Sequence, residues 1–163
     1  MTEYKRFTIP EVIEILKNST ETQCIGHELK RGESGFDYCS VGLIKKAFQE
    51  KYPALCRWKE KDINSASLIW TDDGAETFNE QYKELARKHS GYHVLLDDIV
   101  EPESEFMYEL SGMPKYRDDE AWNETGFNGF LEDHLISLND EEHMKFVEVA
   151  KELEGLYERS KEG

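Results

Sequence analysis

Long hydrophobic runs are missing from this chain of 163 residues. No stretch approaches the ~20 apolar residues that a membrane-spanning helix needs. Met1-Thr2-Glu3-Tyr4-Lys5-Arg6 carries no apolar core of the signal-peptide kind. Cysteine is scarce as well: Cys24, Cys39 and Cys56 are an odd number at unremarkable spacing, which argues against a disulfide framework. These features predict a reducing, cytoplasmic setting. Positive charge is the third shortage. The chain has 20 Lys+Arg against 35 Asp+Glu, a formal net charge of −15, and this argues against a free-standing nucleic-acid binder because phosphate would be repelled over most of the surface. Short catalytic signatures are lacking too: there is no Gly-rich phosphate loop, no Gly-x-Ser-x-Gly elbow, no Cys-x-x-Cys and no His-Glu-x-x-His. Aromatic residues, in contrast, are plentiful. With 8 Phe, 8 Tyr and 3 Trp the chain has enough surface to bury that it cannot be a wholly disordered acidic polymer.

The acidity is unevenly spread. Residues 1–60 hold nine acids and ten bases, whereas residues 97–142 hold 15 acids and only Lys115 and Arg117. Aromatic and Met side chains are interleaved with those carboxylates (Phe106, Met107, Tyr108, Met113, Tyr116, Trp122, Phe127 and Phe130), unlike a solvating tail. Such a mixture suits an ordered acidic surface with a few anchors for a partner.

Periodicity and caps predict the elements. Thr8-Ile9-Pro10-Glu11 reads as a capping box opening a helix over 8–18, with Ile9, Val12, Ile13 and Leu16 on one face. Val41, Ile44, Ala47 and Phe48 predict a helix over 40–51 with Ser40 as cap, and Ala75, Phe78, Tyr82 and Leu85 one over 74–89. Asn139 with Glu142 reads as a capping box for a last helix over 139–159, whose stripe includes Phe146, Val149 and Leu153. Weaker alternation places strands near 24–29, 67–71 and 92–96, while Arg31–Gly35 reads as a loop. Pro102, Gly112, Pro114, Gly126 and Gly129 interrupt residues 97–130, which therefore read as irregular. The expectation is an α+β, helix-dominated single domain over 1–163, with a small sheet and an irregular acidic insertion at 97–130. Leu68–Asp73 followed by Phe78 also parallels Leu135–Asp140 followed by Phe146, the pattern of either a duplication or two good helix starts.

Asp37-Tyr38-Cys39-Ser40-Val41-Gly42, followed by Thr71-Asp72-Asp73 and Thr77-Phe78, resembles a pattern in small uncharacterised phage and prophage proteins. There a Cys-x-x-Gly step opens one helix and an Asp-Asp turn with Thr-Phe opens another. The resemblance implies a phage-encoded protein acting on a host or rival machine.

Constellations for chemistry are thin. Cys39 at a helix start could be an activated thiol, but no base is readable beside it. His89 and His93 have i,i+4 spacing without further zinc ligands, and the Asp118–Trp122 stretch does not fit a calcium loop. The adjacent carboxylates of Asp72-Asp73, Asp97-Asp98 and Glu132-Asp133 diverge on a helix or strand. No metal, cofactor or catalytic residue is assigned. The reading favoured is an acidic protein-binding inhibitor that occupies the basic, nucleic-acid-binding surface of a host or defence protein, in the anti-CRISPR, anti-restriction or DNA-mimic manner. Its working surface would comprise Asp97, Asp98, Glu101, Glu103, Glu105, Glu109, Asp118, Asp119, Glu120 and Glu124, with Phe106, Tyr108, Tyr116 and Trp122 as anchors. The alternatives are a small metal- or Cys-dependent hydrolase or nucleotide-handling enzyme, and an acidic structural or assembly protein.

Overall fold

The computed structural model describes residues 3–32, 35–61, 64–82, 93–111 and 129–162. The first helix, α1 (Ile9–Lys17), forms as its cap dictates. Thr8 Oγ1 accepts from the Glu11 N–H at 3.3 Å while the Glu11 carboxylate accepts from the Thr8 N–H at 3.1 Å, and Ile9, Val12, Ile13 and Leu16 are buried. The second, α2 (Ser40–Lys51), spans the expected residues, but its cap is Cys39, whose Sγ accepts from the Gly42 N–H at 3.3 Å. Ser40 is instead wholly buried in the first turn. Helix α3 (Asp72–Gln81) starts two residues earlier than the spacing suggested, because Thr71 Oγ1 caps the Gly74 N–H at 3.0 Å. Its described end is Tyr82; Leu85 and the rest of the expected 74–89 span lie outside the described residues.

Both α2 and α3 thus open with a cap, two residues and a glycine. The glycines are there for proximity. A Cβ on Gly42 would fall 1.7 Å from the Glu28 carbonyl oxygen, and one on Gly74 would fall 1.8 Å from that of Leu55. Each helix start is pressed against a loop that only glycine admits.

A five-stranded sheet lies under α2: β1 (Thr22–Gln23), β2 (Leu29–Arg31), β3 (Phe36–Tyr38), β4 (Cys56–Glu60) and β5 (Ser65–Trp70), in the order β1-β3-β2-β5-β4. The β1–β3 pair is parallel and the others antiparallel. Strand β5 matches the expected 67–71 and is buried along its whole length. The expected 24–29 strand is instead the connection between β1 and β2, with only Leu29 in a strand; it bends at Gly26, whose φ of 81° lies in the left-handed region where glycine carries no steric penalty. Strands β3 and β4 were not read in the sequence. One is three residues long, and Arg57, Lys59 and Glu60 leave the other without an apolar run. Around 92–96 there is no strand in the described part. His93 makes an isolated bridge to Ile69, and α4 (Leu96–Ile99) follows at once.

The described parts of 97–130 are mostly helical, with an extended, irregular stretch only at 100–103. Asp98 Oδ2 accepts from the Leu95 N–H at 2.9 Å to start α4, and α5 (Ser104–Ser111) buries Phe106 and Leu110, a four-residue spacing too short to register as a period. Helix α6 (Gly129–Ile136) runs on into a π-helical turn, Ser137–Glu141, and α7 (Phe146–Glu162) follows. The last helix therefore begins seven residues later than Asn139 suggested. Asn139 is 1% exposed inside the π turn, and the N–H of Lys145 is instead accepted by the Glu148 carboxylate at 3.1 Å. Phe146, Val149 and Leu153 are buried as expected, as is Phe78, while Tyr82 packs at the edge of the core.

Aromatic rings fill the space between α2 and the sheet. Phe48 contacts Tyr4 edge-on at 5.2 Å and Trp70 at 5.8 Å, and Trp70 stacks on Phe78 at 5.4 Å. Tyr4 is pinned there by its hydroxyl, which donates to the Asp98 carbonyl at 2.8 Å. Among the described residues no helix is long and apolar enough to cross a membrane. Replacing Gly42 or Gly74 by Ala should destabilise the protein by about 1–3 kcal/mol or more, since a backbone carbonyl must move. Gly155→Ala should instead stabilise it by about 0.5–1 kcal/mol, because that mid-helix Cβ meets nothing closer than the Arg159 tip at 3.8 Å. Melting temperatures of the three variants check the opposite signs.

Candidate partner-binding surface

The carboxylates singled out in the sequence divide into three groups. Asp98 is fully buried and structural, serving α4 with its side chain and Tyr4 with its carbonyl. Asp97 is half-buried, its carbonyl accepting from Arg6 Nη1 at 3.3 Å. Phe106 is likewise interior, 6.1 Å from the Tyr157 ring. These three do not form an outer surface.

The second group lines the contact of α5 with α7. Glu103 accepts from the Tyr157 hydroxyl at 3.3 Å and, with Glu105, lies 3.5 Å from Lys161; Glu109 lies 3.5 Å from Arg159. Opposite charges on two amphipathic helices explain the pairing, but it is loose and solvent-screened: the Glu105 side chain remains 71% exposed. Glu101 is exposed beside these. On the same helix Tyr108 is 81% exposed, and its three-residue spacing from Glu105 sets a large ring beside one carboxylate of the helix, with Glu109 next along the same helix. Asp118, Asp119, Glu120, Glu124, Tyr116 and Trp122, the third group, lie outside the described residues.

A buried ionic cluster went unread. The Lys45 side chain is 3% exposed and pairs with the Glu28 carboxylate. Glu132, from α6, has its pKa raised by burial, opposed by the Lys45 charge and reinforced by Glu28, Asp133 and Asp97. The paired sequence acids therefore separate, with Glu132 half-buried and Asp133 exposed. Asp72 and Asp73 both face solvent in the first turn of α3, where the helix dipole favours them. Among the described residues no three His, Cys, Asp or Glu side chains gather to hold a metal ion. His93 is described and exposed, and His89 lies outside.

The sheet and α2 also leave a groove of about 300 Å³ over the inner face of the sheet. Tyr38, Trp58 and Ala66 floor it, while Arg31, Glu60 and the C-terminal half of α2 rim it. Its only sequence signal is the alternation Cys56-Arg57-Trp58-Lys59-Glu60, which puts Trp58 and Glu60 on one side of β4.

No family model matches the chain, nor does any curated protein or solved structure.

The thiols are poorly placed for nucleophilic work. Burial pushes Cys39 and Cys24 up to about 11 and Cys56 up to about 12, against the lowered values of activated cysteines. Iodoacetamide at pH 8 should therefore leave the native protein unlabelled for hours and label all three thiols within minutes in urea. Rapid labelling of Cys39 in the folded protein would show an accessible thiolate.

Proposed function

We propose that the protein is a binding protein that docks its acidic α5–α7 side on a basic surface of a partner, of the kind that otherwise holds nucleic acid. The observation that carries this reading is Tyr108, an aromatic ring 81% exposed on a helix that also carries Glu105 and Glu109, in a protein of net charge −15. Tyr is a strong interface anchor because it buries much area for two rotatable bonds and keeps a polar tip. Glu105 and Glu109 on the same helix, with the exposed Glu101 before it, supply the charge-assisted hydrogen bonds that phosphates would otherwise make to Arg and Lys. Their pairs with Lys161 and Arg159 are exposed, so a partner's guanidinium can replace them at little cost. The wider negative field speeds encounter, and the ring sets the dissociation rate. A phage protein that blocks a host or defence nuclease would use such a surface.

The test is affinity capture from a host lysate at 50 mM and 500 mM salt, followed by competition against DNA for the captured protein. The wild type should capture a nucleic-acid-binding protein at low salt, lose it at high salt and displace its DNA. Glu101→Gln/Glu105→Gln/Glu109→Gln should weaken capture at least tenfold and flatten its salt dependence with little change in melting temperature. Tyr108→Ala should weaken capture at both salt concentrations. Undiminished capture by the triple variant and by Tyr108→Ala would overturn the reading.

A further inference from the structure

The groove over the sheet has features that the acidic surface does not use. Side chains of Leu29, Tyr38, Cys56, Ala66 and Leu68 point to the core side of the sheet, and by alternation Arg31, Phe36, Trp58 and Glu60 point the same way. Helix α2 covers the Leu68–Trp70 end of this face through Phe48, and leaves the Ala66 end open. Tyr38 and Trp58 lie there with ring centroids 6.2 Å apart, and Phe36 is 51% exposed at the mouth. The small side chain of Ala66 lies on the strand between β2 and β4, and this is what makes the floor a depression.

The charges on the rim are arranged unequally. Lys46 is committed: it pairs with Glu50 and, at 3.2 Å, with Glu21, and these carboxylates outweigh burial to raise its pKa. Arg31 and Glu60 are different. Neither forms an ion pair among the described residues, although both rim the same groove. They stand on β2 and β4, with β5 between them and two residues out of register, so their backbones are about 12 Å apart at the usual strand spacing and rise. An apolar, aromatic bed with one anion at one side and one cation at the other complements a dipolar ligand with an apolar middle. Three residues of extended peptide span about 10 Å.

We propose that this groove binds a free short peptide of about three residues. Its ammonium terminus lies against Glu60, its carboxylate against Arg31, and its central side chain on the Trp58 and Tyr38 rings. Gln49, from α2, presents a carboxamide that can both donate to and accept from a peptide group.

The probe is the tripeptide Gly-Phe-Gly, titrated calorimetrically into the full chain beside its N-acetylated form, its C-amidated form and AMP. The free tripeptide should bind with a dissociation constant below 1 mM, and capping either end should weaken it about tenfold. In Glu60→Gln, the free peptide should bind as weakly as the acetylated one does to the wild type, and acetylation should have no further effect. Arg31→Gln should behave likewise toward amidation. Both residues are on the rim, and unchanged melting temperatures would show that the variants fold. Equal affinity of free and doubly capped peptide, absence of binding at 10 mM peptide, or preferential binding of AMP would each overturn the proposal. None of these results depends on a protein partner for α5–α7.

Discussion

The carboxamide of Asn139 joins three parts of the chain that are far apart in sequence. Its oxygen accepts from the Ser40 N–H at 3.1 Å, the Ser40 hydroxyl at 3.0 Å and Gln23 Nε2 at 2.6 Å, while its nitrogen donates to the Cys24 carbonyl at 2.9 Å and to Asp140 Oδ1 at 2.7 Å. Gln23 completes the link by donating to the Met144 carbonyl and accepting from the Phe146 N–H. The strand β1 and the start of α2 thus meet on the buried Asn139 side chain, and Gln23 extends the network to the start of α7. A polar group so deeply buried is tolerable only when each of its donors and acceptors is engaged, and the network then specifies one arrangement sharply. The π turn is what makes this possible: its wider ring swings Asn139 inward, with the Glu142 N–H bonding the Ser137 carbonyl at 3.0 Å. His143, at φ 54°, then turns the chain toward α7.

That constraint explains what was legible in the sequence. Helices α1 and α2 were readable because caps and stripe coincide locally: Thr8 and Glu11 form their box across one turn, and Ile44 and Phe48 face the core at helical spacing. Asn139-Asp140-Glu141-Glu142 carries an equally good local cap signal, yet long-range bonds to Gln23, Cys24 and Ser40 outcompete it. No pattern within a dozen residues reveals partners about a hundred positions away. The acidic segment misled for a related reason. Asp98 and Phe106 look like surface acid and anchor in sequence, and it is the packing of residues 4–7 and of α7 that buries them. Glu105 and Tyr108 kept the exposure that their charge and spacing implied, while Glu109 is half-buried against Arg159.

The same architecture separates the two surfaces proposed here for binding. The C-terminal elements form a carboxylate-rich side with one prominent ring, and the first sixty-odd residues form an aromatic groove in which the charges nearly balance. This follows the division of charge along the chain, near zero over 1–60 and strongly negative beyond. The first surface suits steering, because exposed charges act at range although each contributes little. The second suits selection by shape and by the placement of two opposite charges. The buried thiols and the buried Lys45 side chain belong to neither surface.

The dependence on Asn139 is tested most directly by native-state hydrogen exchange in Asn139→Ala. If the carboxamide holds β1, the start of α2 and the start of α7 together, protection at the Cys24, Ser40 and Phe146 amides should fall in parallel, about tenfold or more beyond any loss at Leu68 and Ile69 in the sheet centre. Protection that falls only around residues 137–144, with the Cys24 and Ser40 amides as slow as in the wild type, would contradict the account.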